Sequence, residues 1–171
     1  MPSLDRATER SRLVGEGAGA GLPPGFWPMR LAVRCDGPAA AVLGRVRDVL
    51  ADILRQDPEA WPDEDAWPAL LPGWFVAACA PERTPEQAAA DLAAWRENLD
   101  AGRHGKVESR AWSVADFVYW FTPEMRNWWW WDATLTAPDA FALTLVADEV
   151  DPPRDALLWL LRAAGAAAVT G

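Results

Sequence analysis

Between Trp27 and Cys35 the chain reads WPMRLAVRC, with Met29, Leu31 and Val33 alternating with Arg30, Ala32 and Arg34. A period of two sends apolar side chains to one face and polar ones to the other, and so predicts a half-buried strand. Asp36-Gly37-Pro38 then breaks the chain into a turn. Over residues 38–56 the period changes. Val42, Val46, Val49 and Ile53, flanked by Leu43, Leu50 and Leu54, form one apolar stripe, and Arg45, Arg47, Asp48, Asp52 and Arg55 supply the polar side. That is the pattern of a helix packed on a core. Residues 57–74, DPEAWPDEDAWPALLPGW, place tryptophan before proline at Trp61-Pro62 and Trp67-Pro68. Each proline removes a donor and holds the preceding residue extended, which predicts a long ordered loop of the kind that serves as a functional segment or a lid. The run WFVAAC, residues 74–79, reads as a short buried strand.

Thr84-Pro85-Glu86-Gln87 has the form of a capping box with proline in the first turn, and starts a helix on which Ala88, Leu92, Trp95 and Leu99 share a face, with Gly102 as its stop. The single histidine, His104, follows between glycines in a solvated turn. In residues 111–121, AWSVADFVYWF, Ser113 and Asp116 form a second capping pair, and Val114, Phe117, Val118 and Phe121 share a helical face. A short helix is expected there, although the same residue types suit a strand. Residues 128–136 and 141–148 alternate again across Ala137-Pro138-Asp139-Ala140 and predict a hairpin. Asp151-Pro152-Pro153 opens a last helix that turns Leu157, Leu160 and Leu161 inward and stops at Gly165.

The resulting order, β-α-β-α-α-β-β-α, predicts an α+β fold: a single domain over residues 26–171, with a mixed sheet of about four strands and helices packed mainly on one face. Residues 1–25 carry a charged stretch and then GEGAGAGLPPG, expected as a flexible N-terminal arm packed on the domain. Gly15, Gly17 and Gly19 lack the preceding strand and following helix that a phosphate-cradling loop needs.

The run Trp128-Trp129-Trp130-Trp131 carries the sharpest functional expectation. Strict alternation puts Trp129, Trp131, Ala133 and Leu135 on the core face of the first hairpin strand, meeting Phe141, Leu143 and Leu145 of the second. Trp128 and Trp130 then share the opposite face with Asp132, Thr134 and Thr136, across from Ala142, Thr144 and Val146. Two indoles among threonines and a carboxylate form an aromatic recognition surface, with Arg126 and Tyr119 at its border and Asp132 orienting the guanidinium. The competing reading is second-layer packing beneath a helix or the Trp-Pro loop. Burial of both Trp128 and Trp130 by the domain itself removes the surface in either form.

Composition narrows the function class. Apolar residues make up 51% of 171, enough for a core. No run approaches the ~18 apolar residues of a membrane span, and the charged segment MPSLDRATERSRLVG has no hydrophobic signal stretch. A cytoplasmic protein is expected. Sixteen basic against 25 acidic residues give a net charge of −9, which disfavours nucleic acid and favours a basic protein partner. Cys35 and Cys79 are expected as free buried thiols, and with one histidine they do not assemble a metal site. No cofactor motif and no catalytic pair is present; Asp116, Glu124 and Asp132 have no spacing that makes two of them partners. The expectation is a non-enzymatic protein-interaction module, an adaptor or an antitoxin-like inhibitor of a basic partner. The alternative is a small-molecule-binding protein or enzyme in which Trp61, Trp67 and Trp74 close over Trp128 and Trp130.

Overall fold

The computed structural model describes residues 4–17, 19, 21–100 and 112–171. They form an α+β domain around one four-stranded sheet. In chain order the elements are α1 (Arg6–Leu13), β1 (Trp27–Cys35), α2 (Ala39–Leu54), α3 (Trp67–Leu70), α4 (Gly73–Ala78), α5 (Pro85–Asp100), α6 (Val114–Tyr119), β2 (Trp128–Ala137), β3 (Ala140–Ala147), α7 (Asp155–Ala164) and β4 (Ala166–Thr170). The strands lie in the order β2-β3-β1-β4, and every pairing is antiparallel rather than mixed. One face of the sheet, lined by Leu31, Val33, Phe141, Leu143 and Leu145, is buried with the apolar stripes of α2 and α7. The opposite face leaves Arg30, Ala32, Arg34, Thr134 and Ala142 exposed.

The elements differ from the expected order in four places. Helix α1 lies in the arm, and the loop expected over residues 57–74 contains the short helix α3, where Pro68 falls in the first turn and its missing N–H costs no bond. Residues 74–79 are not a strand. Gly73–Ala78 is helical, with Phe75 and Val76 N–H donating to the Pro72 carbonyl and Phe75 packed 4.6 Å from Phe117. A short run of apolar residues fits a buried helical turn as well as a strand, and contacts across the fold decide between them. The fourth strand instead comes from the alanine-rich end. Gly165 takes φ +120°, a value that favours glycine, and a Cβ there would sit 3.2 Å from Val42 Cγ2. The chain reverses at that point and lays β4 against β1, Val33 opposite Val169. Alanine carries little strand preference, so the pattern of residues 166–170 was silent.

Other local expectations hold. The capping box closes reciprocally, Thr84 N–H donating to Gln87 Oε1 at 2.9 Å and Gln87 N–H to Thr84 Oγ1 at 3.3 Å. Ser113 Oγ caps α6 by accepting from Asp116 N–H at 3.2 Å, which resolves residues 114–119 as helix. On α5, however, Ala88 and Leu92 are exposed rather than inward. The side chains of Trp95 and Leu99, Gly102 and His104 lie outside the described residues. The arm expected over residues 1–25 contains α1, capped by the Asp5 carboxylate, with Glu9 and Leu13 buried.

A β-bulge revises the tryptophan run. Trp128 pairs with Ala147, Trp130 with Leu145, but Asp132 with Thr144, so Trp131 is an extra residue without a partner on β3. The phase of the strand inverts across it. Ala133 and Leu135 do lie opposite Leu143 and Phe141, but Leu135 stands at the surface, 51% exposed, rather than in the core. Upstream of the bulge, it is Trp128 and Trp130 that enter the core, at 2% and 0% exposure, while Trp129 is half-buried edge-on to Phe26 at 5.3 Å. We therefore expect Trp130→Ala to cost about 3–5 kcal/mol in urea-induced unfolding, the range for truncating a packed aromatic. Trp129→Ala is expected to cost clearly less. Equal costs, or the reverse order, would place the bulge elsewhere.

Candidate functional site

The tryptophan strand is held by a charge inside the protein. Because β2 is at the sheet edge, its outward N–H groups have no strand to pair with. Helix α1 covers one of them: Trp130 N–H donates to Glu9 Oε1 at 2.7 Å, and the Arg126 guanidinium donates to the same oxygen. Both ionic side chains are buried, at 0% exposure for Glu9 and 5% for Arg126. Burial pushes the Glu9 carboxyl above its usual range, against the pull of Arg126, the Trp130 amide and Arg6. Glu9 Oε2 and Arg126 Nε find no partner among the described residues. Arg126 also lies over Trp128 and Phe121, at 5.1 and 5.7 Å. This is a structural ion pair, whose main effect is to make its own removal costly.

The residues expected to form one recognition surface are therefore dispersed. Trp128 and Trp130 are core side chains, and their burial removes the aromatic sheet face as a binding surface. Arg126 stacks on an indole as expected, but its ionic partner is Glu9 rather than Asp132. Asp132 turns back on the edge strand, its Oδ1 accepting from Ala133 N–H at 2.8 Å. Trp61, Trp67 and Trp74 do not close over the pair either. Trp67 is buried against Trp61 at 5.1 Å, and Trp74 packs edge-on to Phe75. Of the five, Tyr119 alone stands at the surface, 52% exposed.

Tyr119 opens into a cleft of about 950 Å³ between α5, α6 and the segment 80–84. Ala80 N–H donates to the Trp112 carbonyl at 2.9 Å, tying that segment to the start of α6. Glu82 then reaches the first turn of α6, accepting from Ala115 N–H at 3.0 Å. Arg83 spans the cleft, donating to Asp91 of α5 at 3.2 Å and to Asp116 of α6. Trp112, Tyr119 and Trp120 form an aromatic wall, the last two edge-on at 5.7 Å. These described walls carry the carboxylates of Glu82, Asp91 and Asp116 beside the Arg83 guanidinium. The Thr84–Gln87 capping box and the Ser113 cap start the two helices, and the fold sets both N-termini side by side, where acids are favoured. No periodicity links residues 82 and 115; of this cleft the sequence marks the Thr84–Gln87 and Ser113–Asp116 caps and Tyr119.

Asp91 and Asp116 are engaged by Arg83, and among the described residues no group of three histidines, cysteines or carboxylates is placed to hold a metal. Cys35 and Cys79 are free thiols. Burial pushes the Cys79 thiol up to about 11, helped by Glu82, while Trp159 pulls the other way. No helix of the described residues is long and apolar enough to cross a membrane. No protein-family model, curated protein or solved structure matches the chain.

Breaking the buried pair is expected to destabilise the fold strongly. Glu9→Ala and Arg126→Ala should each lower the unfolding free energy by about 3–5 kcal/mol, and the double variant by much less than the sum; urea titration of the four proteins measures this. Cys79 should also alkylate slowly. With a pKa of about 11 its thiolate fraction at pH 8 is about one in a thousand, against about one in four for a free thiol near 8.5. Iodoacetamide labelling read by mass spectrometry should then show a rate roughly two orders of magnitude below that of the denatured chain.

Proposed function

We propose that this chain is a non-enzymatic protein-interaction module, and that it takes a basic, exposed segment of a partner protein into the cleft between α5 and α6. The observation that carries the reading is the cleft's composition: exposed Tyr119 and half-buried Trp112 and Trp120 stand beside Glu82, Asp91 and Asp116. Aromatic side chains supply contact area at low entropy cost, and surrounding carboxylates steer cationic side chains toward it. An incoming guanidinium finds both a ring face and an acid there. The overall charge of −9 works in the same direction at longer range.

The sheet face does not suit such a partner. Its exposed charges include Arg30 and Arg34, and the tryptophans of β2 are buried or half-buried. The surplus of acids likewise disfavours a nucleic-acid partner. Two free thiols fit the reducing cytoplasm, where we place the protein. A small-molecule site is the second reading, favoured by the cleft's volume, which falls in the roughly 300–1,000 Å³ range of ligand pockets. The carboxylates on its described walls favour a basic chain over an uncharged ligand.

Fluorescence anisotropy with short arginine- and lysine-rich peptides, and acidic peptides as controls, tests the proposal. Basic peptides should bind with an affinity that falls as salt rises. Tyr119→Ala should weaken binding by about tenfold, equivalent to about 1.4 kcal/mol, and Asp116→Asn should weaken it in the same direction. Equal binding of acidic and basic peptides, or no effect of Tyr119→Ala, would overturn it. Salt-independent binding of an uncharged aromatic compound at the same residues would favour the second reading.

A further inference from the structure

The outward edge of β2 is treated differently along its length. Its first half is closed by three devices: Glu9 accepts from Trp130 N–H, Trp131 bulges out of register, and Asp132 Oδ1 accepts from Ala133 N–H. Natural sheets block edges in these ways, with a covering element, a bulge or a charged side chain. The protection then stops. Thr134, Leu135, Thr136 and Ala137 are all exposed, Leu135 at 51%, and none of them is charged. Helix α1 covers the strand at Trp130, upstream of the bulge, and residues 133–137 carry no proline and no charge.

Residues 133–137 read Ala-Thr-Leu-Thr-Ala, the same in both directions. An antiparallel pair of identical strands has a two-fold axis perpendicular to it, so a palindromic segment meets itself residue for residue. Placed on an axis through Leu135, Ala133 faces Ala137 of the second copy, Thr134 faces Thr136, and Leu135 faces Leu135. Trp130 N–H points out of the sheet to Glu9, and Leu135, paired with Phe141 four residues along β3 from Trp130's partner Leu145, has the same phase, so its N–H and C=O also point outward. Leu135 then exchanges two backbone hydrogen bonds with its symmetry mate, and each exposed leucine covers the other. Threonine pairs across strands are favourable, and no like charges meet. A second irregularity in the β2–β3 register, at Thr136, twists the hairpin tip and limits the pairing to the rungs around the axis.

We propose that this segment is a homodimerisation edge: two copies of the chain join β2 to β2, antiparallel and centred on Leu135, into one continuous eight-stranded sheet. The contact is isologous and closes on itself, so it ends at a dimer and does not propagate. It shares no residue with the α5–α6 cleft, so the two readings fail separately.

Sedimentation velocity of the full chain, from low micromolar to about millimolar, tests this. A short edge contact lies below the roughly 1,200 Å² of a standard interface, so a reversible dimer with a dissociation constant on the order of 100 μM is expected. Leu135→Lys, which sets two like charges on the axis, should weaken it by about tenfold or more. Leu92→Lys, at another exposed leucine, should leave it unchanged. Hydrogen exchange of the wild type gives the second measurement and needs no variant: the Leu135 amide should gain protection as concentration rises, and the Leu31 amide in the central strand should not. A wild type that stays monomeric throughout overturns the proposal. So does a Leu135→Lys dimer as tight as the wild type, or a dimer without added protection at Leu135.

Discussion

A carboxylate buried at the edge of a sheet organises one side of this molecule. The backbone N–H of Trp130 has no neighbouring strand to receive it, and Glu9 of α1 supplies the acceptor. Glu9 in turn needs a cation, because an isolated charge is not tolerated without water. Arg126 provides it, and is held flat over Trp128 and Phe121. This hydrogen bond and ion pair, with Leu13 in the core, hold α1 against the start of β2. The arrangement tolerates no partial removal, since either ion without the other is a buried unpaired charge.

The bulge at Trp131 acts with this constraint. An inserted residue inverts the inward and outward faces of the strand on one side of it. Trp128 and Trp130 pass into the core beside Leu145 and Ala147, while Ala133 and Leu135 remain on the face shared with Leu143 and Phe141. The tryptophan density is therefore a packing feature at its centre, and binding chemistry gathers elsewhere. In the α5–α6 cleft two capped helix N-termini lie side by side, and Arg83 joins Asp91 of α5 to Asp116 of α6. Edge and cleft follow the same rule in opposite senses: polar groups with no regular partner are satisfied by side chains from distant segments at both places, inside the protein at Glu9 and in a solvent-facing groove at Arg83.

Local signals in the chain were sufficient for much of the architecture. The alternation in residues 27–35, the apolar stripe of residues 42–54, the Thr84–Gln87 and Ser113–Asp116 boxes and the hairpin around Pro138 all depend on neighbours within about four residues, and those interactions act wherever the segment is placed. The α+β class and three of the four strands follow from them; the fourth strand expected at residues 74–79 is a helix. The strand at residues 166–170 was not legible, because alanine takes up whichever backbone its surroundings impose. The helix at residues 73–78 was not legible either, since six apolar residues satisfy both periods.

The candidate site was legible only in parts. Tyr119 and the cap at Asp116 were visible; Glu82, Arg83 and Asp91 had no pattern to join them to residues more than thirty positions away or across a helix. What the amino-acid order alone determined was the set of segments, their periods and the acidic balance, because these arise from short-range geometry and composition. Which tryptophans face inward was left to the tertiary structure, because a period of two specifies alternation but not phase. The phase of β2 was decided by the bulge and by Glu9, a residue 121 positions from the amide it receives.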